Sequence, residues 1–302
     1  MNQRILIAGA GDLGVRVGAL LAAGGAQIFA LRRSQGMLPQ SLEFIGADLR
    51  DPDSLSRLPE RLDGVVYAAA ADESSDAAYQ QAYVLGLSNL LQAPSLKAHT
   101  PGRMLFVSST AVYAQADGEW VDEASPCNAS HFSGRRTLEA ERVLSVSGVP
   151  WTVARAGGIY GPGRTRLIDQ VRAGEARFDP DQIEYTNRIH VDDLAGAIVH
   201  LLRHPQGLGV FNCVDYEPAP RQEVLTWLAR QLAAPTPRPL DPRASSPDVS
   251  NPALATRSRV RQSNKRVSGE KLRALGYQFR YPSYREGYRE LMLAAGLLTT
   301  DR

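Results

Sequence analysis

Short apolar runs alternate with amphipathic stretches along the first two-thirds of the chain. The runs that have the length and composition of buried strands are residues 4–8, 27–31, 43–46, 64–69, 103–107 and 151–155. The stretches that place apolar residues at helical spacing are 13–23, 77–93, 134–147 and 192–203. Because strands alternate with helices, we predict an α/β fold with a doubly wound parallel sheet between two layers of helices.

Three glycines at G-x-G-x-x-G spacing separate the first predicted strand from the first predicted helix. In a dinucleotide site, Gly9 allows a tight turn, Gly11 lets the backbone approach a pyrophosphate, and Gly14 permits close packing of helix on strand. The free N–H groups and the dipole of the helix N-terminus favour negative charge at that point. The motif therefore predicts a Rossmann dinucleotide site, to which Asp12 and Leu13 also contribute.

From residue 156 onward the predicted elements become shorter. Helical patterns return over residues 268–275 and 284–298, whereas residues 235–252 contain six prolines and little apolar content, which predicts an exposed loop. We therefore predict two regions. Residues 1–155 form the dinucleotide-binding core, and residues 156–302 return strands and helices to that core and form a smaller C-terminal substrate lobe.

The composition of the 302 residues, 43% hydrophobic and 22% charged, is typical of a soluble globular protein. The first strand begins at once, without a signal-peptide pattern, and no apolar run approaches the roughly 18 residues of a membrane span. Cys127 and Cys213 do not form a C-x-x-C motif, so we expect neither a disulfide framework nor a metal site. These features predict a cytoplasmic protein without a membrane segment.

The net charge is +2, but residues 231–302 hold 13 basic against 6 acidic side chains. The densest part contains Arg257, Arg259 and Arg261, followed by Lys265 and Arg266. No aromatic residues alternate with these arginines and no nucleic-acid module accompanies them, so we do not expect a nucleic-acid partner. Two interpretations stay open, a solvated basic face and a pocket for a phosphate or a carboxylate.

The residues after the second predicted strand bear on the choice between NAD and NADP. An acidic residue at this point binds the ribose 2′-hydroxyl of NAD, and this chain has none there. Arg32, Arg33 and Ser34 instead offer two guanidinium groups and a hydroxyl, which suit the 2′-phosphate of NADP. We favour NADP, with NAD as the alternative if both arginines are only solvated charges. Further expected cofactor contacts, after the third and fourth strands, are Asp48, Leu49, Ala68, Ala69 and Ala70.

Five later segments resemble a known family. They are residues 107–113 (V-S-S-T-A-V-Y), 154–163 (A-R-A-G-G-I-Y-G-P-G), 188–194 (R-I-H-V-D-D-L), 211–212 (F-N) and 264–288. Together with the glycine motif they resemble the short-chain dehydrogenase/reductase superfamily, in the extended and atypical branches described as NAD-dependent epimerases/dehydratases. The resemblance covers most of the chain and implies a Rossmann fold, a nicotinamide cofactor and a small-molecule substrate.

The resemblance also implies roles for single residues. Ser108, Gly157 and Ile159 match positions that contact the cofactor. Ser109 matches the active-site serine or threonine and is expected to touch the substrate. Tyr160 resembles a residue close to the nicotinamide, and it is expected to line the substrate side.

The chain departs from the family at its catalytic pair. Family members carry Y-x-x-x-K on the helix after the serine strand, where the phenol transfers a proton and the lysine lowers the phenol pKa and holds the ribose. The matching positions here are Phe132 and Arg136, and none of the eleven tyrosines has a lysine four residues later. Arg136 could still hold the ribose. In addition, the glycine motif is one residue shorter than in most extended members, and Ala156 stands where proline is usual.

Three residues are candidate substitutes for the missing pair. Ser109 could polarise a carbonyl, Tyr113 could give a proton, and His131 has an intrinsic pKa suited to acid–base work. Tyr113 could equally line the pocket, and His131 could be a surface residue at a helix start. The basic C-terminal residues, Arg266 among them, are expected to bind an acidic end of the substrate.

Two functions follow from these observations. The first is an NAD(P)-dependent oxidoreductase or epimerase/dehydratase-like enzyme that acts on a carbonyl or sugar-nucleotide-like small molecule. The second is a non-catalytic NADP-binding sensor, in which Phe132 and Arg136 mark lost chemistry. The helices predicted over residues 77–93 and 134–147 form dimer interfaces in relatives, so a homodimer is expected.

Overall fold

Seven strands form one parallel sheet at the centre of the structure, a computed structural model that describes residues 3–240 and 264–298. In chain order the strands are β1 (Arg4–Ala8), β2 (Gln27–Arg32), β3 (Leu42–Gly46), β4 (Gly64–Tyr67), β5 (Arg103–Ser109), β6 (Glu119–Val121), β7 (Trp151–Ala156), β8 (Gly158–Tyr160), β9 (Arg177–Phe178), β10 (Tyr185–Thr186), β11 (Arg188–His190), β12 (Gly209–Cys213), β13 (Ala219–Pro220), β14 (Arg238–Pro239) and β15 (Lys265–Val267).

The helices follow the strands of the sheet and then build a separate layer. In chain order they are α1 (Asp12–Ala23), α2 (Asp76–Tyr79), a π-helical segment (Gln80–Leu85), α3 (Gly86–Gln92), α4 (Pro94–Ala98), α5 (Phe132–Ser145), α6 (Arg166–Arg172), α7 (Val191–Arg203), α8 (Arg221–Gln231), α9 (Glu270–Ala274) and α10 (Tyr284–Ala294), with 3-10 turns at Pro52–Arg57 and Thr110–Val112. None of the helices in the described ranges is long and apolar enough to cross a membrane.

The strand order in the sheet is β3-β2-β1-β4-β5-β7-β12, and each neighbouring pair is parallel. The chain winds outward from β1 in both directions, so the order reverses between β1 and β4. A reversal of this kind opens a crevice at the carboxyl ends of the strands, where ligands of open α/β sheets bind. The predicted Rossmann fold is confirmed.

Two apolar layers cover the sheet. On one face α1 packs against α7, and Val17, Leu21 and Ile198 share a buried cluster. On the other face α3 and α5 bury Leu87 and Leu144. The strands are apolar on both sides because both faces are covered, which explains their nearly continuous hydrophobic sequences.

A further apolar cluster lies apart from the two layers of the sheet. It joins α6, α8 and α10 through Ile168, Leu228 and Met292, all buried. Tyr288 and Tyr160 close this cluster toward the cleft, with ring centroids 4.5 Å apart. These helices come from residues after 156, in the region where the sequence predicts a second lobe.

Most predicted elements differ from the structure by one to four residues at their boundaries. The strand predicted over 64–69 ends at Tyr67. The helix predicted over 77–93 begins earlier and passes through the π-helical segment, where the buried Tyr67 hydroxyl donates to the carbonyl of Ala82 and competes with the backbone ladder. The helix predicted over 134–147 begins at Phe132, because the His131 ring accepts from the Ser133 N–H and caps it.

The proline-rich segment predicted as an exposed loop begins with structure. Arg238–Pro239 pairs in parallel with Arg177–Phe178 as β14 and β9, so the first part of the segment has regular backbone pairing. The rest of the segment, together with the basic residues Arg257, Arg259 and Arg261, lies outside the described residues.

Candidate functional site

A cleft of about 1410 Å³ runs along the carboxyl edge of the sheet. The predicted site residues that line it are Gly9, Gly11, Asp12, Leu13, Arg32, Arg33, Ser34, Asp48, Leu49, Ala68, Ala69, Ala70, Ser108, Ser109, Tyr113, His131, Gly157, Ile159 and Tyr160. Of the predicted residues within the described ranges, Gly14, Arg136 and Arg266 lie outside the lining. The cleft therefore brings most of the candidates together in one continuous space.

The three motif glycines serve two different purposes. Gly9 has φ of +97°, and a Cβ there would overlap the backbone of Ala69. A Cβ on Gly14 would overlap the Gly9 carbonyl, so both glycines are needed by the packing of the protein itself. A Cβ on Gly11 would meet no atom of the described residues within 4 Å and would point into open space. Gly11 thus leaves the room that a pyrophosphate over the α1 N-terminus needs.

Most of the charged side chains beyond the end of β2 form ion pairs with one another. Arg33 forms a two-bond ion pair with Asp72, at 2.8 and 2.7 Å. Arg50 binds Asp48 at 2.7 Å, and its hydrogen bonds hold the pKa of Asp48 below the usual value. In the part of the chain that the structure describes, Arg32 has no carboxylate partner within ion-pair distance. Arg32 is therefore the guanidinium that is left for a phosphate at this end of the cleft.

The positions of the missing catalytic pair are filled by packing and pairing. The Phe132 ring lies 5.3 Å from the ring of Tyr79 in an edge contact and 4.2 Å from His131. Arg136 donates two hydrogen bonds to Asp76 and one to Glu139, which turns its guanidinium away from the cleft. The larger and polar side chains of this region that do line the cleft include Tyr79, His131, Ser133 and Thr137.

Ser109 and His131 both line the cleft, and each side chain carries a proton donor. The Ser109 oxygen accepts from the Ala111 N–H at 3.1 Å, which leaves the hydroxyl hydrogen for a ligand. The Nδ1 atom of His131 accepts from the Ser133 N–H at 3.3 Å and lies 2.8 Å from the Ser133 hydroxyl. Since Nδ1 is an acceptor, the neutral ring carries its proton on Nε2.

Tyr113 belongs instead to a buried network below the cleft. Its hydroxyl donates to Asn212 at 2.8 Å and accepts from Arg155 at 2.9 Å, and burial raises the pKa of Tyr113 to about 12. Arg155 also binds Glu141, which accepts from the Ser108 hydroxyl. The phenol proton of Tyr113 and the hydroxyl of Ser108 are thus both directed into the protein, and any contact of Ser108 with a cofactor involves its backbone.

The opposite end of the cleft contains three basic residues that the sequence analysis does not assign to the site. Arg188 and Arg221 line it together with Lys265, whose ammonium donates to the Tyr113 carbonyl at 3.0 Å. Burial lowers the pKa of Lys265 to about 8. These side chains come from β11, α8 and β15, far apart in the chain, so spacing alone gives no signal for them.

Arg266, expected to bind the substrate, is held elsewhere. Its guanidinium lies over the rings of Trp120 and Tyr185, 5.2 and 4.9 Å from their centroids, and its Nε donates to the Gly118 carbonyl at 2.7 Å. Strand alternation explains the placement, because Arg266 points to the opposite side of β15 from Lys265. In residues 3–240 and 264–298 there is also no cluster of three or more metal-binding side chains.

The parallel sheet, its strand order and the glycine turn at its carboxyl edge define an NAD(P)-binding Rossmann-fold protein of the short-chain dehydrogenase/reductase type. Residues 5–213 match the model of the NAD dependent epimerase/dehydratase family. The chain belongs to that family.

Similar proteins cover almost the whole chain. A 3-diazoavenalumate denitrifying reductase from Streptomyces is 30% identical over 311 residues, which cover 94% of this chain and 99% of that protein. A Methylobacillus flagellatus structure, named by class as an NAD-dependent epimerase/dehydratase, is 35% identical with a TM-score of 0.78 and covers 98% and 100% of the two chains. The human epimerase family protein SDR39U1, solved with NADPH, has a TM-score of 0.76 at 22% identity over 95% and 98%, which is a likeness of fold.

Proposed function

We propose that this protein is an NADPH-dependent oxidoreductase that reduces a carbonyl-type group of a small molecule. The observation that carries the proposal is the single cleft, which joins the glycine turn to the proton donors Ser109 and His131. The relative named a reductase, 30% identical over nearly the full chain, supports reductive chemistry. An epimerase or dehydratase reaction on a sugar-nucleotide-like molecule, which involves no net reduction, is the alternative that the family name favours.

The cofactor proposal rests on Gly11 and Arg32. Gly11 leaves open space at the N-terminus of α1, where backbone N–H groups would bind the pyrophosphate. Arg32 would bind the 2′-phosphate of NADP, since Arg33 and Arg50 are held by carboxylates. The small side chains of Ala68, Ala69 and Ala70 would lie beside the bound dinucleotide.

NADPH supplies a hydride when it is bound. The protein must then polarise the acceptor group and deliver one proton to the oxygen that gains the negative charge. Ser109 is placed to donate a hydrogen bond to that oxygen, and the Nε2 proton of His131 is the one we assign to the transfer. His131 would regain a proton from water before the next turnover. Tyr113 is left out of the transfer, because its phenol is buried in the network with Arg155 and Asn212.

Fluorescence titration with NADPH and NADH tests the cofactor proposal. We expect wild-type protein to bind NADPH at least tenfold more tightly than NADH, and Arg32→Asp to abolish that preference through charge repulsion. Arg230→Asp, an exposed position on α8 away from the cleft, is the matched control and should keep the preference. Failure of the wild-type protein to bind either nucleotide would overturn the proposal.

A screen of aldehydes and ketones, followed by NADPH oxidation, tests the chemistry. His131→Asn retains an N-cap acceptor for α5 but has no transferable proton, so we expect kcat to fall by about 10²–10⁴ with folding unchanged. Ser109→Ala should lower kcat by at least about tenfold through loss of the hydrogen bond to the developing oxyanion. Unchanged kcat in both variants would refute these assignments.

A non-catalytic NADP-binding protein is the second candidate. It is favoured by the placement of Phe132 and Arg136, which fill the positions of the family's acid and lysine with an aromatic contact and an ion pair. The two candidates differ in one result. A sensor would bind NADPH with the expected preference, yet it would turn over none of the carbonyl compounds.

A further inference from the structure

Three guanidinium groups meet at the end of the cleft that is formed by the C-terminal region. Arg166 is the first residue of α6, Arg188 belongs to β11, and Arg221 is the first residue of α8. All three line the same cleft as the glycine turn. Arg188 is buried and Arg221 is largely so, whereas Arg166 is exposed.

The protein itself neutralises little of this charge. Arg221 lies 3.6 Å from Glu184, and within residues 3–240 and 264–298 Glu184 is the one carboxylate that lines this end of the cleft. Arg188 donates to the Thr186 hydroxyl at 2.6 Å, and among the described residues it has no carboxylate within ion-pair distance. Burial, together with repulsion from Arg188 and Arg166, lowers the pKa of Arg221.

A nearby buried acid adds little compensation. The Asp215 N–H donates to the Arg188 carbonyl at 2.7 Å, and burial raises the pKa of the Asp215 carboxyl group to about 8, which favours its neutral form. Its Oδ2 atom has no hydrogen-bond partner among the described atoms. Buried cations without counter-charges are costly, and natural proteins leave them where a ligand supplies the anion.

The sheet order places this cluster on the far side of the reacting groups from the glycine turn. Ser109 ends β5, which lies between β4 and β7. The glycine turn follows β1 on the one side, and the loop that leads to α6 follows β7 on the other. A molecule held by the cluster can therefore direct its other end toward Ser109.

We propose that Arg166, Arg188 and Arg221 bind an anionic group of the substrate, a carboxylate or a phosphate, and hold its reactive group at Ser109. Guanidinium groups suit this task because they offer forked donors to two oxygens at once. The inference rests on the proposed function for the direction of the substrate, while the anion site itself is independent of any turnover. The acidic end of the substrate would therefore contact these three arginines inside the cleft and not Arg266.

Anion binding measured by calorimetry and thermal unfolding tests the site, with phenyl phosphate and benzoate as the two probes. Each carries a single anionic group on one ring, so neither mimics the pyrophosphate that the glycine turn would bind. We expect one probe to bind and raise the Tm, phenyl phosphate if the group is a phosphate and benzoate if it is a carboxylate. Arg166→Gln should weaken that binding at least tenfold. Arg172→Gln changes an exposed arginine of the same helix that does not line the cleft, and it should bind as the wild type does.

The Arg166 variant is the primary test because its exposed side chain can change without loss of folding, and Arg221→Gln is the second. Equal weakening by Arg166→Gln and Arg172→Gln would show a diffuse surface effect and overturn the proposal. So would the absence of binding by both probes in a protein that binds NADPH. NADPH titration of the same samples separates the two proposals: anion binding without NADPH binding refutes the proposed function and leaves the anion site standing.

Discussion

The two ends of the cleft differ in how many of their charged side chains are paired within the protein. At the glycine end the charged side chains are mostly paired inside the protein, as in Arg33 with Asp72 and Arg50 with Asp48. What faces the cleft there is backbone and small side chains around Gly11 and, beyond the paired charges, the guanidinium of Arg32. At the other end, which we call the lobe end, the guanidinium groups of Arg166, Arg188 and Arg221 line the cleft. Among the described residues, Glu184 is the one carboxylate that lines the cleft beside them.

The two ends therefore differ in the specificity that they can give. Backbone N–H groups recognise a pyrophosphate, which all dinucleotides share, and need no particular side chain. Unpaired guanidinium groups recognise a group that only some molecules carry. We infer that the glycine end sets the class of the cofactor, whereas the lobe end sets which substrate enters.

The largest effect is expected when a buried pair below the cleft is broken. Glu141 binds Arg155 at 2.7 Å, and both side chains are buried. Glu141→Gln would leave the Arg155 charge uncompensated, so we expect a loss of about 3–5 kcal/mol in the free energy of unfolding measured in urea. Glu139→Gln, a more exposed position on the same helix, is the control and should unfold close to the wild type. Equal stability of the two variants would show that the buried Arg155 charge does not need Glu141 as its partner. The contrast with the arginines at the lobe end, which lack such a partner, would then have no energetic basis.

A smaller loss of stability is expected at Gly9, which the packing of the protein requires, than at Glu141, and it distinguishes Gly9 from Gly11, which leaves space for a ligand. Gly9→Ala forces a side chain into φ of +97° and onto the backbone of Ala69, so we expect about 3 kcal/mol of lost stability. Gly11→Ala meets open space, and its stability should match the wild type while its affinity for NADPH falls about tenfold or more. Urea unfolding and NADPH titration of both variants check this. If Gly11→Ala binds NADPH normally, the open space does not serve the pyrophosphate.

The smallest effect concerns the protonation of Asp215. The pKa of Asp215 is about 8 in the folded protein against an ordinary value of 3.8, so the native state holds a proton that the unfolded chain releases. Stability is then complete below the unfolded pKa and falls as pH rises through about 8. Between pH 6 and pH 8 we expect the wild type to lose about 2 kcal/mol relative to Asp215→Asn.

The same measurement on Asp181→Asn, an exposed position, is the control and should follow the wild type at both pH values. Parallel behaviour of Asp215→Asn and the wild type would mean that Asp215 is ionised at neutral pH. The lobe end would then carry less excess positive charge and would resemble the glycine end more closely.

The glycine end could be predicted from the sequence, and the lobe end could not. Gly9, Gly11 and Gly14 lie within six residues, so their spacing fixes their geometry once a strand and a helix flank them. Arg188 and Arg221 meet through tertiary packing that no local pattern encodes. The dense run of C-terminal basic residues predicts that Arg266 binds the substrate, whereas the Arg266 guanidinium packs between two aromatic rings. The homodimer and the cytoplasmic location stay predictions.

The placement of β15 has a consequence for the order in which the protein folds. Lys265 pairs with Glu119 across a parallel register that joins segments about 150 residues apart. The Asn187 amide donates to the Lys265 carbonyl and accepts from the Val267 N–H, so it holds β15 from the other side. Contacts of such sequence separation form late, because a long loop must close first. During synthesis on the ribosome, residues 1–155 can therefore assemble early, while β6 pairs with β15 only after Lys265–Val267 has emerged.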